Sequence, residues 1–385
     1  MKADYLIVGS GLTGAVLARR LADRGRDVLV LERRAHVGGN VHDHEHPSGV
    51  RVHSYGPHFF RTSSERIWRF ANRFASFHRY VNEVRTLVDG RYERWPVAGS
   101  YVRRVAGTAW RPRRHGSARN FEEAALAMMP RVVYEKFVKG YTEKQWGVPA
   151  RCLDASLASR FEVRWDDDRR LKRSRYQGLP TEGYAGFMHK MLEGIRVIPK
   201  CDYLEHRRAF SARKLLAYTG PIDAWFGHDL GRLVYRGQRR EHEYLLERRL
   251  EQPAAVVNNP DPAAGPHVRT IEWKHLMSAD AVDHVRGTLL TREIPITPSD
   301  PDAFEYPFQN AANQALYQRY RLRAEQTPRL LVCGRLGEYR YYDMDQAIAR
   351  ALALSQQILA TEGIELSEWK WSRRLSYGSS PSSES

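Results

Sequence analysis

Near its start the chain sets three glycines between two short apolar runs, and nothing else in the sequence restricts its fold as strongly. Residues 4–8 read DYLIV, a run of β-formers; Gly9-Ser10-Gly11-Leu12-Thr13-Gly14 follows, then AVLARRLADRG, then a second apolar run closed by Glu32. In the middle stretch Val16, Leu17, Leu21 and Ala22 fall on one helical face, and Gly25 stops the helix. Strand, turn, helix and strand in this order open a dinucleotide-binding fold. Gly9 permits the tight turn, Gly11 lets a pyrophosphate approach the backbone, and Gly14 lets the helix pack on the strand. The helix N-terminus offers unpaired N–H groups to phosphates. Glu32, about 20 residues on, stands where an acid meets ribose hydroxyls.

The bulk properties narrow the partners. With 385 residues, 42% of them hydrophobic, the chain can bury two or three packed modules. Mean hydropathy is −0.59, and no apolar run approaches the roughly 18 residues that cross a bilayer, so no membrane partner is expected. Residues 5–21 are apolar enough to suggest a signal peptide, but Gly9, Gly11 and Gly14 interrupt them and no basic segment precedes them. The net charge of +16 favours anionic partners such as nucleic acid, acidic lipid or phosphorylated small molecules. The most basic stretch, 103–119, holds Arg111, Arg113 and Arg114 among glycine and proline and reads as a solvated loop. Regularly interleaved aromatics and a nucleic-acid module are missing, so no nucleic-acid partner is expected. Cys152, Cys201 and Cys333 are too few and too scattered for a disulfide framework or a metal site, which fits a cytoplasmic location.

Along the chain, 63–158 reads as mostly helical, with apolar residues at three and four spacings in 64–77 and 121–140. The charged run 164–175 reads as exposed and mobile. A helix is expected over 184–192, a buried strand over 215–219, and short alternating strands of an antiparallel sheet from 233 to 295. A strand at 330–333 and an amphipathic helix over 345–359 follow. The last residues, GSSPSSES, read as disordered.

A second glycine pair, Gly38-Gly39, comes soon after Glu32. It resembles the FAD-binding class that includes amine oxidases and sugar mutases, whereas a plain NAD dehydrogenase does not need it. Four longer segments are more specific. Tyr55-Gly56-Pro57-His58-Phe59-Phe60, Gly140-Tyr141-Thr142-Glu143-Lys144-Gln145-Trp146-Gly147, Tyr218-Thr219-Gly220-Pro221-Ile222-Asp223 and the run from Gly334-Arg335-Leu336-Gly337 to Asp345 closely resemble the bacterial UDP-galactopyranose mutases. They occur in the same order, and the likeness spans 2–354.

The resemblance implies an α/β fold: an FAD-binding Rossmann-like domain (1–80 with 195–230 and 328–365), an inserted helical domain (81–175), an antiparallel β-sheet domain (176–194 and 231–327), and a disordered tail (372–385). It implies non-covalent FAD, active when reduced, and exchange of a nucleotide-linked sugar between pyranose and furanose forms through a flavin N5 glycosyl adduct without net redox change. Cofactor contacts would come from Gly9, Gly11, Gly14, Glu32, Arg33, Gly39, Asn40, His58, Arg335, Tyr342, Asp343 and Met344. Arg160 and Arg269 would hold the diphosphate, as arginine forks can do bidentately, and with His58 they form the expected catalytic group. Asn82, Phe137, Tyr141, Thr142, Trp146, Asn258, Tyr306 and Tyr341 would complete the substrate site. An external reductant such as NAD(P)H or a reductase is implied, and a homodimer by analogy.

The chain departs from the family pattern at several places. Arg61 replaces a histidine, Leu171 a tyrosine and Glu182 a glycine, while Asn259 and His267-Val268 alter two further segments. These changes spare the flavin segments and cluster around substrate positions, which points to a different sugar or base, such as a deoxy sugar. An amine-oxidase-like flavoenzyme, a non-catalytic nucleotide-sugar binder and a basic nucleic-acid binder remain as alternative readings at this level.

Overall fold

The computed structural model describes residues 1–112 and 118–360. Arg113, Arg114 and the expected disordered tail therefore lie outside the described residues.

The glycine-rich opening folds as its pattern dictates. Strand Lys2–Val8 lies at the centre of a five-stranded parallel sheet, between Val28–Leu31 and Ser211–Tyr218; Arg196–Ile198 and Leu330–Val332 form the edges. Both faces of the central strand are covered. Tyr5 and Ile7 enter one core with helix Leu12–Ala22 and helix Met344–Ala360, while Ala3, Leu6 and Val8 enter another with Leu216, Tyr218 and Tyr320. A parallel strand buried on both faces needs a continuous apolar run, which is why DYLIV does not alternate. Helix Gly183–Leu192 packs beside Leu12–Ala22. Its first N–H groups, Tyr184 N and Ala185 N, donate to the buried Asp43 carboxylate at 2.6 and 3.1 Å.

The second sheet has seven strands, in the order Tyr306–Pro307, Tyr235–Leu245, Thr288–Ile296, Arg269–Glu272, Val256–Asn258, Val84–Val88, Arg91–Trp95. It is antiparallel except where Val256–Asn258 pairs parallel with Val84–Val88. The antiparallel hairpin of Val84–Val88 and Arg91–Trp95 comes from the stretch expected to be mostly helical. Its signal was local: Asp89-Gly90 has positive φ at both residues (50° and 74°), the backbone of a tight hairpin turn between alternating strands. The module boundary expected at 81 therefore does not coincide with the division between sheets. Residues 176–194 also sit elsewhere than expected. Tyr176–Pro180 pairs with Phe60–Thr62 and Phe77–Arg79 in a separate three-stranded sheet.

The helices of the insert gather around a core of Phe121, Val133, Phe137, Trp146 and Leu157. Pro130 breaks the expected 121–140 helix into Phe121–Met128 and a later part, of which Tyr134–Lys139 is wound as a π-helix leading into Gly140–Trp146. The run 164–175 is not simply exposed. Arg164 is 3% exposed and donates to Glu162 at 2.9 Å and to the carbonyls of Asp168 and Leu171 at 3.1 and 3.2 Å. The segment wraps around this buried guanidinium, whose five donors would otherwise be costly to bury.

Candidate functional site

Two cavities meet on one side of the parallel sheet. The first runs along the glycine turn. Gly9, Gly11, Gly14, Glu32, Arg33, Gly39, Asn40, His58, Arg335, Tyr342 and Met344 all line it. Here the backbone itself forms the wall. A Cβ on Gly14 would lie 2.0 Å from the Gly9 carbonyl oxygen, and one on Gly39 would lie 2.9 Å from the Gly11 Cα. Gly11 caps helix Leu12–Ala22 without any side-chain hydrogen bond, so the first-turn N–H groups beside the cleft are left for an anion. Glu32 is buried; its carboxylate accepts from Ser10 N and Oγ at 2.8 and 2.6 Å and from Arg34 N at 2.9 Å. Arg33 and Arg34 both pair with Asp302, at 2.5 and 2.9 Å. An elongated cleft with glycine walls, an open helix N-terminus and a buried acid fits a dinucleotide such as FAD.

The second cavity is built from side chains. Asn82, Phe137, Tyr141, Thr142, Trp146, Arg160, Asn258, Arg269, Tyr306 and Tyr341 all line it, as do Arg61 and Leu171. Asn40, His58, Arg335 and Met344 line both cavities, so the two adjoin there. Asp343, expected beside the cofactor, lines only the second. Its carboxylate pairs with Arg61 at 3.0 Å and accepts from the Tyr341 hydroxyl at 3.3 Å. The residue pair Tyr341-Tyr342 is split as alternation along an extended segment requires, with Tyr341 on the second cavity and Tyr342 on the first.

Arg160 ends the short helix Ala155–Arg160 and lies over the Tyr341 ring at 4.4 Å, with Arg335 over the same ring at 4.7 Å. Tyr306 stacks on Tyr341 at 5.8 Å between centroids, with 14° between the planes. Arg269 begins strand Arg269–Glu272 and donates to the fully buried Glu293. Burial opposes the Arg269 charge, but Glu293, Tyr141 and Tyr306 more than offset it, so the guanidinium stays charged. Asn82 and Thr142 are 3% and 2% exposed. Both ends of the Asn82 carboxamide and the Thr142 hydroxyl lack partners among the described residues. Such groups cost about 1–3 kcal/mol each when left unpaired, and at a cavity wall they are suited to a polar ligand.

His58 is held in one orientation. Its Nδ1 donates to the Gly56 carbonyl at 2.7 Å, and its backbone N–H donates to His53 Nδ1 at 2.9 Å. Burial, then His53 and Arg335, lower its pKa to about 3. The imidazole is therefore neutral at pH 7, with Nε2 as an acceptor.

Sequence reasoning missed four residues here, Arg34, Glu305, Arg240 and Glu293. Arg34 lines the first cavity and Glu305 the second; Arg240 links Glu305 to Glu293. One signal was present, since Glu293 shares the strand face of the buried Leu289 and Thr291. Nothing local marks Glu305 or Arg240.

A family model described as UDP-galactopyranose mutase matches residues 136–341, and one described as NAD(P)-binding Rossmann-like domain matches 7–74. A probable UDP-galactopyranose mutase of Klebsiella pneumoniae is 32% identical over 373 residues, covering 93% of this chain and 95% of that protein. The dTDP-fucopyranose mutase of Escherichia coli is 28% identical, covering 91% and 97%. A crystal structure of reduced UDP-galactopyranose mutase superimposes with a TM-score of 0.69 at 14% identity, covering 94% of each chain. The flavin-containing amine oxidase B of Homo sapiens matches over 87 residues only, 23% of this chain.

Proposed function

The chain belongs to the UDP-galactopyranose mutase family, and from this premise we propose that it interconverts the pyranose and furanose forms of a nucleoside-diphosphate sugar, with FAD as its cofactor and no net oxidation. The observation that carries the reading is the shared wall. Arg160 and Arg269 face one cavity, and that cavity opens onto the glycine-lined cleft through Asn40, His58, Arg335 and Met344. An amine oxidase has no use for two diphosphate-binding arginines at this junction.

FAD held along Gly9, Gly11, Glu32 and Arg335 would, when reduced, supply an electron-rich, nucleophilic nitrogen. The chain's own residues do the rest. Arg269, fixed by Glu293, and Arg160, resting on Tyr341, hold the diphosphate before and after cleavage, so that it stays close for return. The Tyr306 and Tyr341 hydroxyls lie within the same wall. Asn82 and Thr142 offer unpaired hydrogen-bonding groups to the nucleotide, and Tyr141, Trp146 and Phe137 provide faces for its ring. Neutral His58 orients without adding charge. Because the reaction consumes no electrons, an external reductant such as NAD(P)H or a reductase need only prime the enzyme.

The substrate is a pyrimidine nucleotide linked to galactose or a deoxy relative. Leu171 places an apolar side chain where the family pattern has a hydroxyl, which suits a sugar bearing a methyl group; Arg61 is paired with Asp343. The test is to reduce the purified yellow protein with dithionite and supply UDP-galactose, dTDP-fucose and other nucleotide sugars. New ring isomers should appear by chromatography, fastest with a deoxy sugar. A colourless protein that takes up no flavin, or one that releases hydrogen peroxide from an amine, would overturn the reading.

A further inference from the structure

Behind the second cavity lies a chain of four buried charged groups that neither the expected site nor the mechanism above uses in full. Arg269, at the cavity, donates to one oxygen of Glu293. The other Glu293 oxygen accepts from Arg240 Nε at 3.1 Å, and Arg240 Nη2 continues to Glu305 Oε1 at 2.9 Å. Glu305 is 3% exposed and is itself part of the cavity wall. The loop at Gly56 closes over this chain. With φ of +88°, a Cβ there would meet Glu293 Oε1 at 2.6 Å and Arg240 Nη2 at 3.0 Å, so the charges are sealed from solvent on that side. The Glu305 backbone carbonyl accepts from Arg335 Nη1 at 3.2 Å, which places it at the junction of the two cavities.

The two carboxylates are not equivalent. Glu293 takes one guanidinium on each oxygen. Glu305 has only a share of Arg240, and it faces the negative charge of Glu293. Burial and that repulsion outweigh Arg240 and the more distant Arg269, and raise the Glu305 pKa to about 7, whereas Glu293 is held below its ordinary value. Burial raises the pKa of the neighbouring Tyr306, which is a neutral phenol at this pH, and His58 is neutral as well. With both carboxylates ionised the chain of four is neutral; with Glu305 protonated it carries one positive charge. A diphosphate against Arg269 favours the second state, because in a buried setting an anion is worth more beside a net cation.

We propose that Glu305 takes up a proton from solvent when a nucleotide diphosphate binds, turning the buried chain Arg269–Glu293–Arg240–Glu305 from neutral to net positive against the ligand. The inference rests on the reading of the second cavity as a diphosphate site. By linkage, the ligand then binds more tightly as pH falls through the range where the free Glu305 carboxyl titrates, and loses affinity as pH rises above it.

The probes are UDP-glucose and dTDP-glucose, diphosphate diesters with no phosphate group titrating near neutrality, bound to the oxidised holoenzyme. Calorimetry at pH 8 in buffers of different ionisation enthalpy reads the protons taken up. We expect uptake approaching one proton per ligand, and an affinity that falls by up to about tenfold per pH unit above pH 7. Glu305→Gln, a neutral mimic of the protonated acid, should abolish the uptake, flatten the pH dependence, and bind more tightly than the unaltered protein at pH 8.5. Binding without uptake in the unaltered protein, or uptake that persists in the variant, overturns this proposal and leaves the mutase reading intact. Failure of both probes to bind overturns the diphosphate site, and this inference with it.

Discussion

The two adjoining cavities are made of different material. The first is backbone: glycines that press against one another, a helix end, and an acid whose oxygens are already occupied by Ser10 and Arg34. The second is side chain: four arginines, a pair of stacked tyrosines, and buried amide and hydroxyl groups with no partner among the described residues. A cavity of the first kind is complete before its ligand arrives, and the geometry of the fold depends on it. A cavity of the second kind is left with unmet interactions that the ligand satisfies. The first tolerates almost no change, while the second can be altered one contact at a time, as Arg61 and Leu171 show.

The sharpest way to break this contrast is at Gly14. With the Gly9 oxygen 2.0 Å from any added Cβ, Gly14→Val should cost more than about 4 kcal/mol and abolish flavin absorbance together with folding. A yellow, stable Gly14→Val protein would show that the glycine wall is dispensable. The second cavity should respond differently. Arg269→Ala should keep its flavin yet lose about 2–5 kcal/mol in kcat/KM, since it removes one partner of a desolvated charge pair. Loss of less than about 0.5 kcal/mol, as at an ordinary surface position, would remove Arg269 from the site. The smallest effect is expected at Asn82. Replacing its unpaired carboxamide with leucine should stabilise the free protein by about 1 kcal/mol in urea unfolding while weakening UDP binding. A destabilised variant with normal binding would mean that the carboxamide serves packing.

The same contrast explains what could be read from the sequence. The first cavity was legible because its parts are contiguous: strand, Gly9, Gly11, Gly14 and Glu32 fall within one β-α-β unit, and each glycine answers a steric demand visible in the motif. The second draws on segments from Asn82 to Tyr341, and no local pattern says that Thr142 and Arg269 face each other's space. Only the resemblance to a known family named those residues, and the structure brings all ten to one cavity. Asp343 was assigned to the neighbouring wall because adjacency in a motif does not say which way alternate side chains turn. Glu305 and Arg240 carried no signal at all, since charged residues are by default expected at the surface. The hairpin at Val84–Trp95 was overlooked for a different reason: the whole stretch was read as mostly helical, and the Asp89-Gly90 turn was not singled out.

The strand order has a consequence for how such a protein is made. Lys2–Val8 is translated well before two of its partners, the neighbouring strand Ser211–Tyr218 and the covering helix Met344–Ala360. This strand must therefore wait, with its apolar surface uncovered, while roughly three hundred residues are translated. Flavin uptake is therefore expected only once these elements have met, and nascent chains stalled before Met344–Ala360 should be dependent on chaperones and devoid of colour.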